Sequence, residues 1–347
     1  MQKTGYLLLN LGSPASPSVK DVRAYLGEFL MDKYVINLPW LLRKMIVSLF
    51  ILPFRPKRSA HAYAQIWQPE GSPLLLISEA FCKQLSHQID EPVVLAMRYG
   101  NPNIKDAVQA LLDANVTHIV LVPLYPQHAD STVTTILEVC KQAIPAHITT
   151  SHVPAFYNNA HYIEAQSQVI REHLPQHWDH LLLSYHGIPE QHLVQADPTH
   201  THCLNGDCCA INQEPAEAHV AHNTCYRHHV YTTSRKLMAS LGISAAKFSV
   251  SFQSRLGRLP WLTPYTDQVL QQLPKQGIKH LVVASPAFVA DNLETLEELN
   301  MQGRETFLAA GGETFQLIPC LNDHPAWIKA MTQILADHTV SASSETS

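Results

Sequence analysis

The sequence predicts an α/β protein built from two similar doubly wound domains, their parallel sheets facing one another across a cleft. Three observations predict it: apolar strand-like runs recur in two sets of four, segments of helical period separate them, and the two sets resemble each other. The first set is residues 6–11, 93–97, 118–123 and 148–150; the second is 180–184, 248–252, 280–284 and 315–319. Short Leu/Val/Ile runs with little alternation read as strands buried on both faces, the habit of parallel sheets. Intervening stretches such as 103–114 and 265–276 read as crossover helices, completing βαβ units. The likeness is plainest between 116–123 and 278–285, each of which follows a helix-like segment and precedes a polar loop. The hinge is expected near 155–159, where Asn158-Asn159 favours a turn.

Composition narrows the class. At 347 residues the chain is long for one core, and 46% hydrophobic against 15% charged residues describes a core-rich globular protein. A formal net charge of −5 leaves no electrostatic footprint for nucleic acid. Met1 to Gly5 run straight into a strand rather than a secretory signal, so a cytoplasmic location is expected, where structural disulfides are disfavoured. The most apolar stretch, 35–54, is interrupted by Pro39, Arg43, Lys44 and Pro53 and cannot span a bilayer as a clean helix. It reads as a buried helix, as a surface helix at a membrane, or as the mouth of an apolar pocket. Gly12-Ser13-Pro14 lacks the further glycines of a dinucleotide or Walker loop.

Candidate chemistry gathers at strand ends. His186, in Ser184-Tyr185-His186-Gly187-Ile188-Pro189, follows the apolar run at 181–183. The carboxyl ends of parallel strands are where open α/β sheets bind ligands, and an imidazole there can bind a metal or move a proton. A histidine satisfied by a local hydrogen bond is the bland alternative. After the strand at 280–284 comes an acidic row, and a helix starting near Asp291 would put Glu294 and Glu298 on one face. A first helical turn favours acidic residues through the helix dipole, which accounts for Asp291 but not for Glu298. Arginines and Trp261 within 251–262, with Arg98-Tyr99 and Tyr125-Pro126-Gln127-His128, suit a large flat ligand bearing carboxylates.

Four of the seven cysteines, Cys203, Cys208, Cys209 and Cys225, fall within about 196–226, and eleven of the 21 histidines lie between His173 and His229. Cysteines gathered this way in a cytoplasmic protein bind metal more often than they form disulfides. The spacing C-x4-C-C-x15-C departs from common zinc sites, whereas adjacent cysteines can reach different irons of a cluster. Zinc, or no metal, are the alternatives. Cys82, Cys140 and Cys320 sit in apolar surroundings and read as core residues.

Taken together the motifs resemble the ferrochelatases, which insert ferrous iron into a porphyrin late in haem synthesis. The matching pieces are Leu9-Asn10-Leu11-Gly12-Ser13-Pro14, Gly71-Ser72-Pro73, Leu124-Tyr125-Pro126-Gln127, the His186 motif, Phe252-Gln253-Ser254-Arg255, Pro260-Trp261-Leu262, and 291–298, in family order over roughly residues 5–335. The resemblance implies two Rossmann-like domains around a porphyrin cleft. It implies His186 as the active-site histidine, Glu294 and Glu298 as its acidic partners, and His186 with Glu294 as ligands to the iron substrate. It implies Leu11, Arg98, Tyr99, Tyr125, Gln253, Ser254 and Trp261 as porphyrin-binding positions, and residues 37–54 as a lip admitting the macrocycle. Asn292 stands where some relatives have histidine, and the acidic row continues as Gln302 where some are acidic.

Animal-type members carry a cysteine after Tyr-Pro-Gln, where this chain has Ala129. Microbial members with an internal cysteine-rich insertion are the closer likeness, and they imply a [2Fe-2S] cluster on Cys203, Cys208, Cys209 and Cys225. The expected organisation is an N-terminal domain at 1–155 with its lip at about 35–54, and a C-terminal domain at 156–324 with its insertion at about 196–226. A helix at 325–340 is expected to pack back on the N-terminal domain, before a disordered tail at 341–347. The expected function is insertion of ferrous iron into protoporphyrin IX to give protohaem, in the cytoplasm with peripheral contact at the inner membrane. Coproporphyrin as substrate, cobalt insertion into another tetrapyrrole, and a non-enzymatic haem or iron–sulfur binder are the competing readings.

Overall fold

A computed structural model describes residues 3–206, 208–209, 218–257 and 259–344. Its strands are β1 (Thr4–Gly12), β2 (Val93–Tyr99), β3 (His118–Pro123), β4 (Thr149–His152), β5 (His180–His186), β6 (Phe248–Gln253), β7 (His280–Ala284) and β8 (Thr314–Leu317). They form two four-stranded sheets, ordered β2-β1-β3-β4 and β6-β5-β7-β8, with every neighbouring pair parallel. The two orders are the same topology shifted by four strands, which is the duplication legible in the sequence. Residues 207 and 210–217 of the expected insertion, and 345–347 of the expected tail, lie outside the described residues.

Contacts divide the chain into two units: Met1–Tyr125 with Asp130–Pro154 and Leu335–Ser347, and Pro126–Ala129 with Ala155–Ile334. The C-terminal helix runs Pro325–Ser344, past the expected end at 340. Its distal part belongs to the first unit, where Tyr6 and Thr339 share a hydroxyl contact of 3.4 Å.

In the first unit Leu7 and Leu9 of β1 are wholly buried against Ile104, Val108 and Leu111 of a crossover helix, and against Ile136 and Cys140 of the next. In the second, Leu182, Leu281 and Val283 meet Leu270, Leu299 and Phe307. Each such aliphatic side chain contributes about 1.5–3 kcal/mol by leaving water. This explains why the central strands β1 and β5 are the most uniformly apolar.

The shared topology fixes where a ligand can sit. In the order second-first-third-fourth, the connections leave the first and third strands in opposite directions and open a crevice at their carboxyl ends. In the first unit that switch point lies between β1, ending at Leu11-Gly12, and β3, followed by Leu124-Tyr125. In the second it lies between β5, ending at His186, and β7, followed by the loop leading to Glu294.

The stretch at 35–54 is not a buried helix. Residues Trp40–Ile46 are α-helical and Val47–Ile51 continue as a π-turn. Leu41, Phe50 and Phe54 are 75%, 67% and 74% exposed. Arg43 is buried instead, donating to the carbonyls of Ile36 and Leu38, both at 3.1 Å. Among the described residues no helix is long and apolar enough to cross a membrane.

Candidate active site

β5 and β6 pair in register so that His186 stands beside Gln253. The His186 ring is half-buried, flanked edge-on by Phe288 at 6.3 Å and by the tilted Trp261 ring at 6.5 Å. Its Nδ1 lies 2.6 Å from the Gly187 carbonyl. A carbonyl only accepts, so Nδ1 carries a proton, and in the uncharged form of a ring bound this way the lone pair is on Nε2. The local hydrogen bond that might have explained this histidine away is therefore what arms its other nitrogen. Gly187 is required here: a Cβ would come within 2.9 Å of the Gln253 carbonyl and 3.3 Å of the Trp261 ring.

The acidic row departs from the ordinary helix expected to begin near Asp291. Asp291 and Asn292 are buried and spent on the turn: Asp291 accepts from Thr295 Oγ1 at 2.9 Å and Asn322 Nδ2 at 2.7 Å, and Asn292 Oδ1 caps the Thr295 amide at 3.1 Å. Residues Glu294–Gly303 then form a π-helix, closed where the Arg304 amide reaches back five residues to Leu299. Wide π-turns occur most often at functional sites, and this one brings Glu294 and Glu298 to the residues that end β6, with Gln302 lining the cavity beside them. Gln302 pairs with Glu297 at 2.6 Å rather than with Glu298.

Two residues assigned to the porphyrin hold this row. Gln253 is buried; it accepts from Ser184 Oγ at 2.7 Å and donates to the Glu294 carbonyl at 3.0 Å. Ser254 sits at φ +67°, rare for a residue with a side chain, and grips Glu298 twice. Its amide donates to Oε1 at 2.8 Å, and its hydroxyl donates to Oε2. Burial pushes the Glu298 carboxyl above the usual 4.5, and the neighbouring Glu294 pushes the same way, against the Ser254 hydroxyl and His186. Glu298 is thus a carboxyl that holds a proton to higher pH, within electrostatic reach of an imidazole and a second carboxyl. Beside it opens a cavity of about 240 Å³, lined by Ser254, Arg255, Asp267, Glu298, Gln302 and Thr306.

In the first unit the expected porphyrin residues divide. Leu11 is half-buried at the end of β1, where Gly12 (φ +107°) passes so close to Tyr99 that a Cβ would sit 1.8 Å from its carbonyl oxygen. Arg98 and Tyr99 bond to a buried carboxylate, Asp32, that the sequence reading did not single out. Asp32 accepts from Arg98 at 2.6 Å, Tyr99 at 2.8 Å and Thr135 at 2.5 Å on one oxygen, and from the Tyr34 amide at 2.8 Å on the other. Burial alone would raise its pKa, but the Thr135, Tyr34 and Tyr99 hydrogen bonds and the Arg98 charge outweigh it and hold Asp32 below 3.8. Tyr99 is wholly buried. The signal available in the sequence was an isolated Arg98 at a strand end, which needs a counter-ion. The Tyr125 hydroxyl and Trp261 Nε1 are buried without a hydrogen-bond partner, each in its own unit.

The cysteine segment closes on Cys225, which caps the helix Tyr226–Leu241. Cys203 and Cys209 hydrogen-bond to the Cys225 sulfur, the latter at 4.0 Å, which lowers the Cys225 thiol and pushes their own up. Cys208 lies close enough to add to both upward shifts. Cys203, Cys209 and Cys225 are buried and Cys208 half-buried. Among the described residues no three His, Cys, Asp or Glu side chains are arranged around a single metal ion. Next to the thiols, His229 is buried and held neutral, its pKa lowered to about 3 chiefly by burial. It donates from Nε2 to the His222 carbonyl at 2.8 Å and accepts the His128 amide on Nδ1 at 3.0 Å.

Known proteins resemble this chain over nearly its whole length. The ferrochelatase family model matches residues 3–339. A ferrochelatase of Pseudomonas fluorescens is 50% identical over 332 residues, covering 94% of this chain and 96% of its own. One from Azotobacter vinelandii is 49% identical over 333 residues, covering 94% and 97%. Among solved structures, SirB from Bacillus subtilis with Fe3+ superposes with a TM-score of 0.56 at 13% identity, covering 97% of this chain and 95% of that one. The sirohydrochlorin chelatase SirB from Bacillus subtilis subspecies spizizenii, with cobalt, gives 0.54 at 11%, with the same coverage. At such identities these two speak for the fold alone.

Proposed function

The chain belongs to the ferrochelatase family and is an enzyme that inserts iron into porphyrin, and on that premise we propose that His186, Glu294 and Glu298 carry the reaction. The substrates are ferrous iron and protoporphyrin IX, and the products are protohaem and two protons. The observation that carries this reading is the meeting of the His186 imidazole with the Glu294–Glu298 row at the carboxyl ends of β5 and β6. As iron enters, it loses water and the porphyrin loses two pyrrole protons. His186 Nε2, with its lone pair free, accepts a proton from the ring. Glu298, whose burial keeps it protonatable, passes protons along the π-helix toward the cavity at Asp267 and Gln302. Glu294 and His186 meet the iron, the latter through the same Nε2 lone pair, so metal and proton occupy that nitrogen in turn and never together. Gln253 and Ser254 hold the acidic row from behind, Asp32 holds Arg98 and Tyr99 within its own unit, and Leu11, Tyr125 and Trp261 are the macrocycle contacts of their respective units.

Anaerobic incubation with ferrous iron and protoporphyrin IX should give the visible spectrum of protohaem, at a higher kcat/KM than with coproporphyrin. Failure to form haem, together with cobalt insertion into sirohydrochlorin, would overturn the assignment.

The exposed apolar residues of 40–54, with Lys44 lying 4.7 Å over the Trp40 ring, support a lip that takes up the greasy substrate and touches the membrane surface peripherally. A cytoplasmic enzyme working at the inner membrane fits that surface.

What supports a [2Fe-2S] cluster in the cysteine segment is the chemistry of its donors: four free thiols, with Cys203 and Cys209 hydrogen-bonded to the Cys225 sulfur and Cys208 beside them. Cys203, Cys208, Cys209 and Cys225 would hold it. When bound, it supplies a one-electron redox group and a covalent staple for this segment. Protein purified anaerobically should be reddish, with visible charge-transfer absorption and labile sulfide, and Cys209→Ser should lose both. Colourless protein holding stoichiometric zinc and no labile sulfide would count decisively against the cluster.

A further inference from the structure

We infer that Tyr226 is a positioning residue for His186, holding the peptide that fixes which imidazole nitrogen faces the substrate. The inference rests on the reading of His186 as the proton acceptor. Tyr226 is the first residue of the helix Tyr226–Leu241, and its hydroxyl donates to the His186 carbonyl at 2.8 Å. The other polar end of the same peptide, the Gly187 amide, donates to the Gln253 carbonyl at 2.8 Å. The His186–Gly187 peptide is therefore held at both ends, and the next carbonyl along, that of Gly187, receives the proton of His186 Nδ1.

Gly187 is the weak link of this arrangement, because glycine moves freely in φ and ψ unless its flanking peptides are held. Freed on one side, the Gly187 carbonyl can swing away from Nδ1, and the neutral ring then divides its proton between the two nitrogens. Tyr226 is well placed to prevent that. Its ring is buried, and since a carbonyl only accepts, the hydroxyl is the donor of this bond. The helix is also tied to the same strand by Ser234, whose hydroxyl meets that of Tyr185 at 2.9 Å. Tyr226 directly follows Cys225, so the residue that steadies the active histidine also ends the cysteine segment. Order in that segment and the tautomer of His186 meet at one hydrogen bond.

The test compares the full-length wild type with Tyr226→Phe, which keeps the buried ring and removes one oxygen, and with Ser234→Ala as a control. In 15N-histidine NMR the wild type should show His186 as the Nδ1–H tautomer. Tyr226→Phe should shift this signal toward a mixture of tautomers, lower kcat about tenfold, and leave KM for porphyrin unchanged. Ser234→Ala should leave both the signal and kcat as in wild type. A Tyr226→Phe protein with the wild-type tautomer signal would overturn the inference whatever its activity, as would the same shift in Ser234→Ala. Should His186→Ala retain iron insertion, the catalytic reading fails, but the tautomer measurement still decides the role of Tyr226.

Discussion

Replacing His186 by alanine should lower the rate of iron insertion by about 10²- to 10⁴-fold, the usual worth of a positioned general base, with the fold intact. The side chain is half-buried at the rim of the sheet, and its one hydrogen bond, to Gly187, is local. β5 itself is held by backbone pairing to β6 and β7 and by the wholly buried Leu181, Leu182 and Leu183. The cost therefore falls on kcat and not on stability. Anaerobic steady-state kinetics, with thermal unfolding as the control, check this. Normal insertion by a normally folded His186→Ala protein would sink the mechanism.

Asp32→Ala should have the largest effect on stability, about 3–5 kcal/mol, the cost of breaking a buried ion pair from one side. It strands the Arg98 guanidinium, 15% exposed in its side chain, and leaves the Tyr99 and Thr135 hydroxyls without their acceptor. Removing both charges in Asp32→Leu/Arg98→Met should restore much of the loss, since well-packed apolar residues replace buried pairs at little cost. A denaturant midpoint within error of wild type for the single variant would show the pair to be energetically idle.

The same carboxylate sets a pH limit. Its folded pKa lies below its unfolded value near 4, so at acid pH the unfolded state binds the extra proton. Its stabilisation is complete above about pH 4 and is lost as pH falls toward the folded pKa. Between pH 5 and 8 Asp32 adds no slope, and Asp32→Asn should flatten only the acid limb of the stability profile.

Much of this was legible because parallel-sheet strands announce themselves. Buried on both faces, β1, β3, β5 and β7 need continuous apolar runs, and their ends fall where glycine or proline breaks the pattern. That exposes His186 and Tyr125 as strand-end residues, and the likeness of β3 to β7 reveals the repeated topology. The acidic row was legible as composition, but its form was not. A π-helix differs from an α-helix by one residue per hydrogen bond, and no local preference at 294–303 marks it; the two bonds from Ser254 to Glu298 accompany it across 44 residues of chain.

Side-chain roles divided along the same line. Residue type and position at a strand end named Arg98, Tyr99, Gln253 and Ser254 as polar groups near the substrate. Only tertiary contact could assign their partners: Asp32 for the first two, the π-helix for the others. A buried polar side chain must satisfy its hydrogen bonds, and which acceptor it finds depends on what the fold brings from 41 to 67 residues away. The sequence by itself determined the two parallel sheets, their switch points and the residue types standing there. The tertiary structure decided which partner each of those residues holds, because burial and hydrogen-bond partnership are properties of neighbours in space rather than along the chain.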